Sequence, residues 1–116
     1  MKRKFHNVTF NVYWKRFPND IVYTVECKVT RNRIKITGKN KNSDIFEGEF
    51  IINPFNLKTG EGFHSHKDSD GFAFLKIIIK DNDTFLVDAP YTKVNVTDRG
   101  LKIGDIVYQA FIWRKQ

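Results

Sequence analysis

One cysteine, one methionine and three prolines in 116 residues leave the chain little with which to staple or kink itself. Cys27 has no partner for an internal bridge, so a disulfide scaffold is excluded within the chain. No apolar run approaches the ~20 residues with which a helix spans a bilayer. The basic opening MKRKFHNVTF has no apolar core behind its charges, so it does not read as a secretory signal. A cytoplasmic setting is expected, in which the sequons at Asn7, Asn82 and Asn95 have no meaning. Were the chain excised from a longer one, Lys2-Arg3-Lys4 is the kind of edge that follows a membrane segment on its cytoplasmic side.

Motifs of catalysis are lacking too. There is no phosphate-binding loop, no dinucleotide-binding glycine set, no HExxH and no paired-carboxylate pattern. Cys27 lies in an apolar row, where a thiolate is disfavoured, so it reads as core and not as a nucleophile. The chain is expected to bind rather than catalyse, with no cofactor.

What is present is apolar payload and positive charge. Eleven Phe, four Tyr and two Trp are far more than a disordered chain carries, and 116 residues suit one domain, taken as 1–116. Twenty Lys and Arg against thirteen acids give a net charge of +7, a field that concentrates anions, although solubility alone also produces such a surplus.

Period-two alternation recurs along the chain while helical periodicity hardly appears. Val8, Phe10, Val12 and Trp14 share one face of a first strand, which Arg16-Phe17-Pro18-Asn19-Asp20 ends in a turn. Ile21, Tyr23, Val25, Cys27 and Val29 share a face of a second, and a tight Arg31-Asn32 connection leads to Ile34 and Ile36 in a third that Gly38 stops. Phe46, Gly48, Phe50 and Ile52 alternate with polar or outer residues in a fourth, which Asn53-Pro54 breaks. A fifth spans residues 59–66, and Gly60 and Gly62 within it mark a bend or close backbone approach. A sixth over 72–80 has Ile77-Ile78-Ile79, apolar on both faces and so read as central. The seventh begins at Thr84-Phe85-Leu86-Val87, meets Pro90, and either bends or restarts over 91–96. Gly100 and Gly104 flank a loop before the last strand, where Val107, Gln109, Phe111 and Trp113 share a face. About eight strands joined by short turns predict an all-β fold, a small antiparallel up-and-down barrel, in preference to a sandwich.

Trp14 early in the first strand and Arg114 closing the last are the residues on which the chain resembles the calycins, the superfamily of lipocalins, fatty-acid-binding proteins and avidins. In that group an arginine stacks over the tryptophan to seal one barrel end; Val12-Tyr13-Trp14 stands here in place of the usual Gly-x-Trp. The basic balance, basic N-terminal edge and lack of secretion signals are similar to Cap15-type barrels of bacterial antiphage effectors. That resemblance implies a sensor of cyclic oligonucleotides.

Gly60-Glu61-Gly62-Phe63-His64-Ser65-His66 is the most conspicuous cluster, because two histidines two apart face the same side of a strand. They could ligate zinc or copper only with further ligands, for which His6 or nearby carboxylates are the candidates. No metal is expected. The same pair can donate to a phosphate or stack on a base without further ligands. Asp68-Ser69-Asp70-Gly71 resembles part of a calcium loop, but the template puts His66 first and Ile77 last, where a bidentate Glu belongs, so a β-turn is expected. Lys76 shares a strand face with Phe72, Phe74 and Ile78; if inward it needs an anion, and if outward that face is the solvated one. The leading reading is a pocket for a small anionic ligand, plausibly a nucleotide, with Tyr23, Tyr91 and Tyr108 stacking on a base and His64, His66, Lys76 and Arg114 meeting phosphates. A second uses the basic runs Arg31-Asn32-Arg33 and Lys39-Asn40-Lys41 to bind nucleic acid or protein from the outside, as a phage or host-defence factor would. In a third, the phenylalanines line a cavity for a hydrophobic ligand.

Overall fold

The computed structural model describes residues 5–66, 71–93 and 104–116. Ten strands follow one another: β1 (Val8–Trp14), β2 (Phe17–Thr30), β3 (Arg33–Lys39), β4 (Ile45–Ile52), β5 (Thr59–His66), β6 (Gly71–Asp81), β7 (Thr84–Asp88), β8 (Tyr91–Lys93), β9 (Ile106–Val107) and β10 (Ala110–Lys115). Consecutive strands β1 to β7 pair in order, β10 inserts between β7 and β1, and the circle is complete. Every pairing is antiparallel. The result is a closed eight-stave barrel with up-and-down connectivity, as expected, and its architecture is consistent with a calycin-like barrel. Among the described residues no helix is long and apolar enough to cross a membrane.

Closure follows from the alternation. Val25, Cys27 and Val29 on β2, Ile34 and Ile36 on β3, Phe46, Phe50 and Ile52 on β4, and Ala73, Leu75, Ile77 and Ile79 on β6 are all buried, while the residues between them face out. A sheet with one apolar face buries it by curling on itself, and full closure leaves no stave with an unpaired edge. Gly62 marks a close backbone approach, one of the two roles its place in a strand suggested: a Cβ there would run into the Glu49 carbonyl and the Phe50 backbone of the neighbouring stave.

The middle of the barrel is filled by rings. Phe85 lies 4.7 Å from Phe10, 6.3 Å from Phe50 and 6.4 Å from a stacked Trp113, centroid to centroid. Phe5, in the short turn before β1, meets Phe85 edge-on at 5.0 Å and closes the lower end. At that end the turns are held by side chains: Asn53 accepts from the Phe55 amide at 2.8 Å, Asn56 from the Lys58 amide at 2.8 Å, and Asn32 donates to the Ile52 carbonyl at 3.3 Å.

Four expectations need correction. Phe17–Asp20 does not form a turn; it belongs to β2, and the reversal is only Lys15-Arg16. The register slips at Val12/Tyr13 and Tyr13/Trp14, so Ile21 lands opposite Tyr13 and is 56% exposed instead of following Tyr23 inward. Trp14 is likewise exposed, and the tryptophan inside the barrel is Trp113. The run at Ile77–Ile79 is buried on one face only, because among the described residues nothing covers the outside of this barrel at Ile78. Pro90 divides the seventh segment into β7 and β8, both still paired with β6. The turn at 67–70, the sequon at Asn95, residues 94–96, Gly100 and the basic residues 2–4 lie outside the described residues.

Replacing Phe85 by Ala removes the ring that four others touch and is expected to lower the unfolding free energy by roughly 3–5 kcal/mol in urea titration. Phe55→Ala, at a side chain 96% exposed, should change it by less than about 0.5 kcal/mol.

Candidate functional site

At the upper end, opposite Phe5, side chains from β2 and β5 converge on Phe46 of β4. Tyr23 of β2 meets its ring edge-on at 5.0 Å, and His64 and His66 of β5 lie 4.4 and 5.8 Å away. His66 in turn lies 5.4 Å from His64, 6.1 Å from Tyr23 and 5.9 Å from Tyr91 of β8. The register makes this possible, since Phe46 pairs with His66, and His64 lies level with Gly48 on one side and Ala73 on the other. A Cβ at Gly48 would run into the Phe63 carbonyl and the His64 Cα and Cβ, so the glycine lets β4 come close to the His64 backbone. Gly38 leaves room for the Phe46 ring, and Gly71 for the Tyr91 phenol, because a Cβ at either position would fall inside that group.

The two histidines therefore do share the inner face. His64 is 6% exposed, and its Nδ1 is buried without a hydrogen-bond partner. Burial, with a smaller push from His66, lowers its pKa to about 4. At neutral pH it is an uncharged imidazole, able to give or accept one hydrogen bond at Nδ1 but not to supply a cation. Burial raises the pKa of Tyr23, helped by the Asp44 charge and by Tyr91, so its phenol stays protonated. Asp44 belongs to the β3–β4 loop, where it accepts from Asn40 Nδ2 at 2.9 Å. The box is thus aromatic, its Tyr23 and His64 uncharged at neutral pH, with the Asp44 carboxylate, Lys39 at the end of β3 and Lys41 in the loop that follows at the same end of the barrel.

Of the seven proposed binding residues, Tyr23, His64, His66 and Tyr91 come together here. The other three do not. Lys76 points outward, level with Glu61 and Asp88, because Leu75 and Ile77 take the inner positions of β6. Arg114 also faces out, its guanidinium 5.4 Å from the Tyr13 ring centroid, since Phe111 and Trp113 hold the inner face of β10. It therefore does not seal the barrel over Trp14 as a calycin arginine would. Tyr108, in the two-residue gap between β9 and β10, is 81% exposed. His6 sits at the lower end, its Nδ1 3.3 Å from the Val29 backbone, and cannot join His64 and His66 around a metal. Among the described residues no three His, Cys, Asp or Glu side chains group closely enough to hold one.

Phe46 and Asp44 were not singled out by the sequence. Phe46 shows there only as one more inward residue of an alternating strand, and its link to the histidines is a matter of register. Comparison with known proteins gives no match to a family model, to a curated protein or to a solved structure.

Because the folded-state pKa of His64 is depressed below its ordinary value of 6.5, the unfolded chain takes up a proton first as pH falls. The native state loses stability between about pH 6.5 and pH 4, on the order of 3 kcal/mol at full effect. Melting curves from pH 7 to pH 4 should show this fall, and His64→Gln should flatten it; an equal slope in both proteins would refute the assignment.

Proposed function

We propose that the barrel binds a small anionic ligand carrying a planar ring, of which a nucleotide is the best representative, at its upper end. The observation that carries this reading is the convergence of Tyr23, Tyr91 and His64 on His66, beside a buried His64 Nδ1 that has no partner among the described residues. Aromatic and imidazole rings offer a nucleobase stacking faces of low conformational entropy, and one unsatisfied imidazole nitrogen offers a directional hydrogen bond. The neutrality of His64 reassigns the roles within the site. The rings take the base, and the charge of the ligand falls to Lys39 and Lys41 on the rim, in the electropositive field of a +7 chain. A cyclic-oligonucleotide sensor in antiphage defence is the narrower form of the same reading, and binding without catalysis is part of it.

Two other uses have less support. The basic runs do not merge into one surface: Arg31 and Arg33 lie at one end of β3 and Lys39 and Lys41 at the other, about 20 Å apart along a seven-residue strand. Arg33 is also engaged by Glu49 at 3.2 Å. A hydrophobic-ligand carrier needs a hollow interior, and the level of Phe10, Phe50, Phe85 and Trp113 is occupied by their own rings.

Thermal unfolding against mono-, di- and cyclic nucleotides, fatty acids and short oligonucleotides tests the reading, since a ligand that binds only the folded state raises Tm. A rise of several degrees with one nucleotide is expected. His66→Ala should abolish it, whereas Lys76→Ala, Arg114→Ala and Tyr108→Ala should keep it. No rise with any nucleotide at millimolar concentration would overturn the proposal.

A further inference from the structure

The outer face of β5 and β6 carries apolar groups that the core does not use. Phe63 is 48% exposed and pairs directly across the strands with Phe74, 55% exposed, whose ring meets Phe72 edge-on at 5.0 Å. Adjoining exposed phenylalanines of this kind mark a surface that meets a partner. The charges beside them have a fixed order. Glu61 and Lys76 are level with each other on β5 and β6, one step along from the Phe63–Phe74 pair on the same face, and Asp88 lies level with Lys76 on its other side.

We propose that this face binds a second copy of the chain about a two-fold axis that runs parallel to the strands between β5 and β6. The rotation lays β5 of one copy over β6 of the other. Because Glu61 is level with Lys76 and Phe63 with Phe74, each copy then sets Glu61 against the partner's Lys76 and Phe63 against the partner's Phe74, twice over. Two other arrangements fail on charge, and an axis between β6 and β7, which would set Lys76 on Asp88, leaves Phe63 without Phe74. An axis across the strands at this level sets Lys76 on Lys76 and Glu61 on Glu61, and an axis along β6 sets Glu61 on Asp88. The order of charges selects the one isologous packing in which both apolar and ionic pairs are complementary. Twist of the two sheets leaves their strands crossing at about 30°. The mixed signs of the face also offset the repulsion that two copies of a +7 chain would otherwise meet.

Sedimentation equilibrium of the full chain in low salt, from micromolar to millimolar concentration, tests the proposal. The expected result is a concentration-dependent rise to twice 13.7 kDa. Phe74→Glu and Phe63→Glu, both at exposed positions, should hold the protein at the single mass with unchanged melting behaviour. Lys76→Glu or Glu61→Lys alone should weaken association tenfold or more, and the two together should restore it. A single mass throughout, or a dimer indifferent to all four substitutions, overturns it. Phe74-dependent sedimentation with anionic phospholipid vesicles by a chain that stays monomeric would overturn it in favour of a lipid surface.

Discussion

The ring contacts among Phe10, Phe50, Phe85 and Trp113 are what the rest of this structure hangs on. They come from β1, β4, β7 and β10, so the cluster draws staves from around the circle onto one axis. Burying an aromatic side chain is worth roughly 2–3 kcal/mol, and offset or edge-on ring pairs add about 1 kcal/mol each. Those contacts require every stave to keep its inner parity, and inner parity in turn decides which side chains reach the upper end. The site is a consequence of the core.

Tyr23, Phe46, His64 and His66 show how this works. Each sits on the same alternating row as core residues further down its strand: Tyr23 above Val25 and Cys27, Phe46 beside Phe50 and Ile52, the histidines beyond Gly60 and Gly62. They face inward for the same reason as their apolar neighbours, and near the strand ends the interior changes from purely apolar to aromatic and hydrogen-bonding. Glycine and alanine beside the large groups, at Gly38, Gly48, Gly71 and Ala73, let five rings crowd into one end of a narrow barrel. His64 carries the electrostatic cost of this placement. Its charge is suppressed by burial, so at neutral pH this imidazole brings no cation to the upper end of the barrel.

The outside of the barrel follows a separate logic. Lys76, Arg114 and Tyr13 are on outer rows, where a cation stands level with carboxylates or lies over a ring without touching the interior. Phe63 and Phe74 are also on outer rows, at positions where water would otherwise favour polar residues. Inner and outer faces are thus carried by alternate residues of the same strands, His64 and His66 inside and Phe63 outside on β5.

By itself the sequence determined the class of fold, the strands to within a residue or two in most places, and the pairing of His64 with His66 on one face. These are local properties, set by a period of two and by turn residues that act over a few positions. Only the tertiary structure decided whether a face was inside or outside when both looked apolar, as with Lys76 on β6, and where a register slip would reverse it, as at Ile21. It also decided that Tyr23, Phe46 and Tyr91, 68 positions from first to last, surround the histidines while Arg114 and Tyr108 do not. Inward parity depends on how all the staves close together, and no single strand contains that information.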